Sequence, residues 1–411
     1  MEFEDTPQEA AFRAEARAWI AANAPAEVLA AVEATGVGTL ALGVDSVPAQ
    51  KAWQRTKYEA GWACLHWPRA YGGRGATPVE RLIWLQEEDA YARLSSVFHN
   101  GQGMCGPTLI AHAAEDQKRE LLPKIASGEE IWCQLFSEPG AGSDLAGVRT
   151  RAVRDGDGWI VRGQKLWTSG AQVAQWGLLL ARTDGSVPKH QGLTMFFLDM
   201  ASPGVEVRPV RQMNDQYEFN EVFLSDVRVP DRQRLGPVGG GWGVALTTLM
   251  NERLSIGLEM PTGLDDLMAF CRAVDLGDGP AIDDPSVRER LADWAVQEAG
   301  LRFSTLRAVS GAARGQQPGA GSSMIKLVAG AMMQEIAAFA VEIGGPAGLL
   351  TDPAVAPHLG RFAALLLRAP GTRIEGGTDE ILRNIIAERV LGLPPEPRSD
   401  KTVPFDEIQR G

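Results

Sequence analysis

The sharpest chemistry-bearing run in the chain is Ser-Glu-Pro-Gly-Ala-Gly-Ser-Asp at residues 137–144. A strand-like stretch at 132–136 enters it. Its glycines let backbone N–H groups approach an anion closely, and Ser143 adds a hydroxyl. A tight turn has the same composition. No Gly-Lys-Ser/Thr follows and there is no GxGxxG, so the two common nucleotide loops are excluded. A second run, Gly-Gln-Lys-Leu-Trp-Thr-Ser-Gly at 163–170, sets an aromatic before two hydroxyls. That order suits stacking on a flat group and donation to its edge, or a core anchor before a turn. A third, Arg-Ile-Glu-Gly-Gly-Thr-Asp-Glu-Ile-Leu-Arg at 373–383, reads as a Gly-Gly-Thr loop with Thr378 capping a helix. It is a carbonyl or anion site at a helix N-terminus, or simply a capped helix.

One carboxylate stands apart. Trp242, Ala245, Leu249, Glu252 and Ile256 fall at helical spacings of three and four, so Glu252 interrupts an apolar stripe. Burial there disfavours the ionised form, which suits a base working near neutral pH. A solvated Glu-Arg pair is the alternative.

The elements that must position these residues fall into three zones. From Thr6 to about residue 128 the apolar spacing is helical, with Phe12, Ala16, Trp19 and Ile20 on one face of a helix opened by Thr6-Pro7. From about 131 to 230 the period changes to two. Residues 159–163, 192–199, 204–210 and 221–224 read as strands separated by Asp-Gly and Pro-Gly turn signals. From Gly239 the helical period returns, with long stretches at 241–260, 285–315, 322–344 and 378–391. The expected fold class is α+β: an all-α module over 1–130, a small antiparallel β-barrel or sandwich over 131–238, a four-helix bundle over 239–393, and an extended tail over 394–411.

Composition bounds the function. The 411 residues carry 40 basic and 52 acidic side chains, net −12, which argues against broad binding to nucleic acid or an anionic membrane. Apolar residues at 45% and charged residues at 22% are ordinary for a globular chain. The four cysteines form no CxxC pair and the five histidines are scattered, so no metal site is expected and the thiols read as reduced and buried. The first residues are acidic and amphipathic, and no apolar run is expected to reach the length of a membrane span, so the expected location is the cytoplasm.

Together and in this order, these motifs resemble the acyl-CoA dehydrogenase family, from Phe12 to Leu391, including the run Phe-Leu-Ser-Asp-Val-Arg-Val-Pro at 223–230. The resemblance implies bound FAD and removal of a Cα proton and a Cβ hydride from an acyl-CoA thioester, the hydride going to flavin N5. It places Leu135, Phe136 and Ser137 along the isoalloxazine, and Gly142 and Ser143 near the pyrophosphate, Ser143 also touching the CoA portion. Trp167, Thr168 and Ser169 would cover the other flavin face. Gly377 and Thr378 would meet the adenosine half or the thioester side, and Asn251 and Arg253 the substrate. The family's usual glutamate before Gly-Thr is Gly376 here, whose N–H still serves as a donor to the thioester oxygen. The implied base is therefore Glu252, as in the isovaleryl-type branch, with Glu375 the alternative.

Two motifs that typical homotetramers lend to a neighbouring subunit are missing. Residues 274–283 are acidic and lack the expected Arg and Phe, and Val341 stands where glutamine is expected before Gly344-Gly345. The resemblance then implies a tetramer, homomeric or completed by a paralogous subunit. It also implies an electron-transfer flavoprotein as acceptor and a bulky, branched or steroid-type acyl-CoA. The alternative is a flavin-dependent monooxygenase or acyl-CoA oxidase on the same fold. Gly103, Gly106 and Gly257 leave room for a wide acyl group or for tight helix packing.

Overall fold

The structure is a computed structural model. It describes residues 5–27, 30, 44–259, 262–315, 321–350, 359–397 and 400–408, with the side chains of 44, 253–259, 322, 349 and 359 outside the description. Thr6 opens α1 (Pro7–Asn23): its hydroxyl accepts from Glu9 N–H while the Glu9 carboxylate accepts from Thr6 N–H. After α2 (Val47–Glu59), the same reciprocal box at Thr77 and Glu80 opens α3 (Pro78–Glu88). A π-helical turn at Asn100–Cys105 leads into α4 (Gly106–His112), and α5 (Glu115–Ser127) ends on Gly128.

Eight strands follow: β1 (Trp132–Leu135), β2 (Arg151–Asp155), β3 (Gly158–Ser169), β4 (Trp176–Arg182), β5 (Leu193–Asp199), β6 (Val205–Val210), β7 (Phe219–Pro230) and β8 (Arg234–Leu235). They form one sheet in the order β6-β7-β3-β2-β4-β5-β8, with β1 added beside β4. Most pairings are antiparallel, as expected, but β1 and β2 run parallel to β4. The period-two pattern does not find β4, because all of it except Trp176 is buried and its apolar run is continuous rather than alternating.

The helical region holds α6 (Gly241–Glu259), α7 (Leu264–Ala273), α8 (Pro285–Ala313), α9 (Ser322–Ile343), α10 (Leu359–Thr372) and α11 (Asp379–Arg389). The four expected long stretches are all helical. α7 and α10 are additional, and α9 packs against α8, α10 and α11. Contrary to the expectation for membrane-length runs, residues 323–343 reach a mean hydropathy of 1.5. Their Met332, Ile336 and Ala340 lie in the core with Phe270, Trp294 and Phe362, which accounts for that apolarity without a bilayer.

Packing cuts across the sequence modules. Among the described residues, one compact unit takes those within 1–42, 77–92 and 253–394, the other those within 43–76, 93–252 and 395–411. The tail is not simply extended: residues 400–408 return to the sheet unit, where Pro404 bridges Pro188 and Phe405 N–H donates to Val187 O at 2.9 Å.

None of the four cysteines forms a disulfide, and Cys105, Cys133 and Cys271 are fully buried. Burial pushes the Cys133 thiol up to about 12 and Cys271 up to about 11. A chromogenic disulfide reagent is therefore expected to titrate only Cys64 in the native protein, and all four thiols in denaturant. Fast native reaction of a second thiol would contradict this burial.

Candidate active site

The site is built where β1 leaves the sheet. β1 alternates between two cores: Cys133 and Leu135 pack in one, Trp132 and Phe136 in the other. Gln134 therefore shares the face of Trp132 and Phe136. Leu135 points the other way. Its side chain is fully buried and abuts Gly177, where an added Cβ would lie 2.5 Å from Leu135 Cδ1. Only its backbone is left for a ligand.

The 137–144 and 163–170 motifs are joined covalently to different strands but bonded to one another. β3 loses register with β7 between Lys165 and Thr168, a bulge in which Trp167 takes φ 61°. The bulge frees Leu166 N–H to donate to Ser137 O at 2.9 Å. Lys165, with no exposed surface, turns inward, and its ammonium donates to Phe136 O (2.9 Å), Glu138 Oε1 (2.9 Å) and Leu180 O (2.8 Å). Glu138 also accepts from Arg149 N–H at 2.6 Å and Thr150 N–H at 2.9 Å. Burial alone would raise the Glu138 carboxyl, but the Lys165 charge and these donors outweigh it and hold it below the ordinary carboxylate range. Gly163 is required nearby, since a Cβ there would lie 2.3 Å from Thr150 Oγ1.

The bulge presents what a flat, polar-edged group needs. Trp167 is 56% exposed, with Phe219 edge-on at 5.8 Å. Thr168 is 1% exposed and its Oγ1 has no hydrogen-bond partner among the described residues. Its carbonyl accepts from Asn220 Nδ2 at 2.9 Å, and the Ser169 carbonyl from Asn100 Nδ2 at 3.3 Å. Gly142 and Ser143 are exposed, and a Cβ at Gly142 would meet nothing within 4 Å. That side is open to a ligand. The residues present thus fit a flavin.

Glu252 comes to the same place. α6 is held at its N-terminal half by two threonine hydroxyls, Thr248 Oγ1 bonded to Thr108 Oγ1 at 2.9 Å and Thr247 Oγ1 to His112 Nε2 at 2.9 Å. Trp242 and Leu249 pack on the core beneath. One turn further on, Gln134 Nε2 donates to Glu252 Oε2 at 3.4 Å. Asn251 uses one of its two amide hydrogens on its own helix, donating to Thr247 O at 2.8 Å. The Arg253 side chain lies outside the described residues, as do the surroundings of Gly257. Gly106 is a packing glycine, since a Cβ there would lie 2.1 Å from the Trp67 ring.

In the other unit, the 373–378 loop has its own supports. Gly376 adopts φ 63° and Gly377 φ 106°, left-handed conformations that a side chain resists. Lys326, 4% exposed, donates to Gly377 O at 2.6 Å. Thr378 Oγ1 accepts from Ile381 N–H at 3.2 Å as the N-cap of α11. Both Glu375 oxygens meet Arg368 Nη2, at 3.0 and 2.8 Å. That carboxylate is committed to an ion pair.

Sequence reasoning missed Gln134, Glu138, Lys165, Asn100 and Asn220. The available signal was a polar side chain at a strand position otherwise read as core, as at Gln134 and Lys165.

Three consecutive stretches match the acyl-CoA dehydrogenase family: its N-terminal domain over residues 6–129, its middle domain over 133–227 and its C-terminal domain over 239–391. The chain belongs to the acyl-CoA dehydrogenase family and is an oxidoreductase of that class. It is 38% identical to the acyl-CoA dehydrogenase IpdE1 of Mycobacterium tuberculosis over 392 residues, 94% of this chain and 98% of that protein. It is also 38% identical to the acyl-CoA dehydrogenase FadE34 of the same organism over 353 residues, 85% of this chain but 47% of the relative, so it spans about half the length of that protein. Among solved structures it is similar to the Tcur3481-Tcur3483 steroid ACAD (TM-score 0.82, 29% identity, 96% of this chain and 100% of that one). It is likewise similar to a chain of the ChsE4-ChsE5 complex from Mycobacterium tuberculosis (TM-score 0.81, 30% identity, 96% and 100% covered).

Proposed function

We propose that this chain carries out FAD-dependent α,β-dehydrogenation of an acyl-CoA thioester, with Glu252 as the base. The observation that carries the assignment is the Gln134–Glu252 contact at 3.4 Å, which sets this carboxylate beside the strand that leads into the 137–144 loop. Glu375, engaged on Arg368, is the weaker candidate.

FAD, when bound, supplies the hydride acceptor. The chain's own residues do the rest. Trp167 offers an aromatic face, and the Thr168 and Ser169 hydroxyls offer donors for the ring edge. Backbone groups of Phe136 and Ser137, with Leu135 contributing main chain only, would lie alongside the bound ring. Gly142 and Ser143 leave an open approach for pyrophosphate and CoA, while Gly377 and Thr378 serve the adenosine or thioester side. The Gly376 N–H donates to the thioester oxygen, where negative charge develops as Glu252 removes the Cα proton. No hydrogen bond from that N–H is formed among the described residues.

A steroid-type or similarly bulky acyl group is supported by likeness to a structure titled a steroid ACAD. An assembly with a paralogous subunit is supported by two similar structures that are each named for a pair of proteins. The absent Arg and Phe at 274–283 and the Val341 substitution support it too. An electron-transfer flavoprotein is the proposed acceptor. Anaerobic titration with straight-chain, branched and steroid acyl-CoAs tests the reading: bleaching of the flavin without added reductant is expected. A flavin that bleaches only after an external reductant is supplied would favour the monooxygenase. A yellow tetramer obtained without a co-expressed partner would sink the heteromer.

A further inference from the structure

We infer that residues 400–408 form a clasp that sets the conformation of the 137–148 loop, and through it the hold on FAD and CoA that the proposed function assigns there. Two anchors carry the inference, both within the sheet unit.

The first is Arg182, at the end of β4 and 2% exposed. Its guanidinium donates to Ala146 O (2.6 Å), Val148 O (3.1 Å) and Lys189 O (3.1 Å). Two of these carbonyls belong to the stretch in which the Gly-rich loop returns to the sheet. A buried guanidinium bonded only to neutral carbonyls needs compensation for its lost water. The 400–408 segment provides it. The Phe405 ring lies 3.4 Å from the guanidinium carbon, and Asp406 opposes the effect of burial, which holds Arg182 down at about 10. The ring is fixed by its own backbone, with Phe405 N–H on Val187 O at 2.9 Å and Asp406 N–H on Gly185 O at 3.0 Å.

The second anchor is Lys189. Its ammonium spans Asp144 (3.0 and 2.9 Å), the last residue of the Gly-rich motif, and Asp400 (2.6 Å). Its side chain is 8% exposed, so the bridge is largely shielded although Asp144 itself is open. The clasp thus grips the loop at both ends of its return, at Asp144 through charge and at Ala146 and Val148 through Arg182. Phe405, Asp400 and Lys189 are positioning residues that touch neither substrate nor reacting atoms.

The test uses the full chain, with partner if one is required, carrying Phe405→Ala, Phe405→Trp or Asp400→Asn. In the FAD-free protein, amide hydrogen exchange over 140–148 is expected to quicken in Phe405→Ala, less so in Asp400→Asn, and to return toward wild type in Phe405→Trp. In the flavin-loaded protein, FAD release is expected to quicken about tenfold in Phe405→Ala, the size a desolvated cation–π contact supports. KM for acyl-CoA is expected to rise about fivefold with kcat at saturation held within about twofold. Unchanged exchange at 140–148 in both Phe405→Ala and Asp400→Asn overturns the clasp, as does failure of Phe405→Trp to restore it. If Phe405→Ala does not fold, the milder change at half-buried Asp400, Asp400→Asn, decides on the same exchange readout. A wild-type chain that binds no FAD overturns the proposed function instead, and the exchange arm still judges the clasp.

Discussion

Glu252→Gln protein is expected to purify yellow, with FAD bound at wild-type affinity, and to bleach with acyl-CoA about 10²–10⁴-fold more slowly, the range a positioned general base contributes. The substitution keeps the shape of the side chain and can still accept from Gln134 Nε2, which reaches Glu252 Oε2 in the native protein. It removes only the capacity to take a proton. Glu375→Gln separates the candidates. That change breaks the ion pair to Arg368, whose side chain is 7% exposed, so its expected signature is lower stability with bleaching retained. Stopped-flow absorbance of both variants checks the pair. Normal bleaching in Glu252→Gln together with loss in Glu375→Gln would transfer the base to the other carboxylate.

The largest expected effect on stability lies at Lys165. Lys165→Met leaves Glu138 buried beside Phe136 O and Leu180 O without its cation, and such a broken pair costs about 3–5 kcal/mol. Glu138 keeps the Arg149 and Thr150 amides, which places the expected loss toward the lower end. The pH dependence has a definite sign. Glu138 is held below its unfolded value in the native protein, so its contribution is present above about pH 4.5 and is lost as pH falls through the folded-state value. The gap between wild type and Lys165→Met is therefore widest near neutrality and narrows in acid. Urea midpoints at pH 7 and pH 4 measure it, and a gap that widens on acidification contradicts the pairing. On the proposed reading FAD affinity falls as well, because Lys165 is what fastens the 137–144 loop to the Trp167 bulge.

Much of the fold was legible because the relevant signals are local. Thr6-Pro7 and Thr77-Pro78 state helix starts that the capping boxes realise. Asp155-Gly156 closes the β2–β3 hairpin through the register Asp155 to Gly158. β4 was not legible, since a strand buried on both faces loses its alternation. The 400–408 segment was not legible either. The Pro-rich, charged run from Pro394 reads as an extended arm, and only Arg182, more than two hundred positions earlier, gives Phe405 a reason to fold back.

The sequence by itself determined which residues could do chemistry: the order of the motifs, the loss of a carboxylate at Gly376, and Glu252 within an apolar stripe. Those are statements about residue type and spacing along one chain. Only the tertiary structure decided which of them meet. β1 alternation turns Leu135 into the core and Gln134 toward Glu252, and a bulge in β3 turns Lys165 onto Phe136 and Glu138. The physical reason is that side-chain direction and ion-pair partners depend on strand register and bulges. These are set by contacts between segments that the linear spacing does not encode.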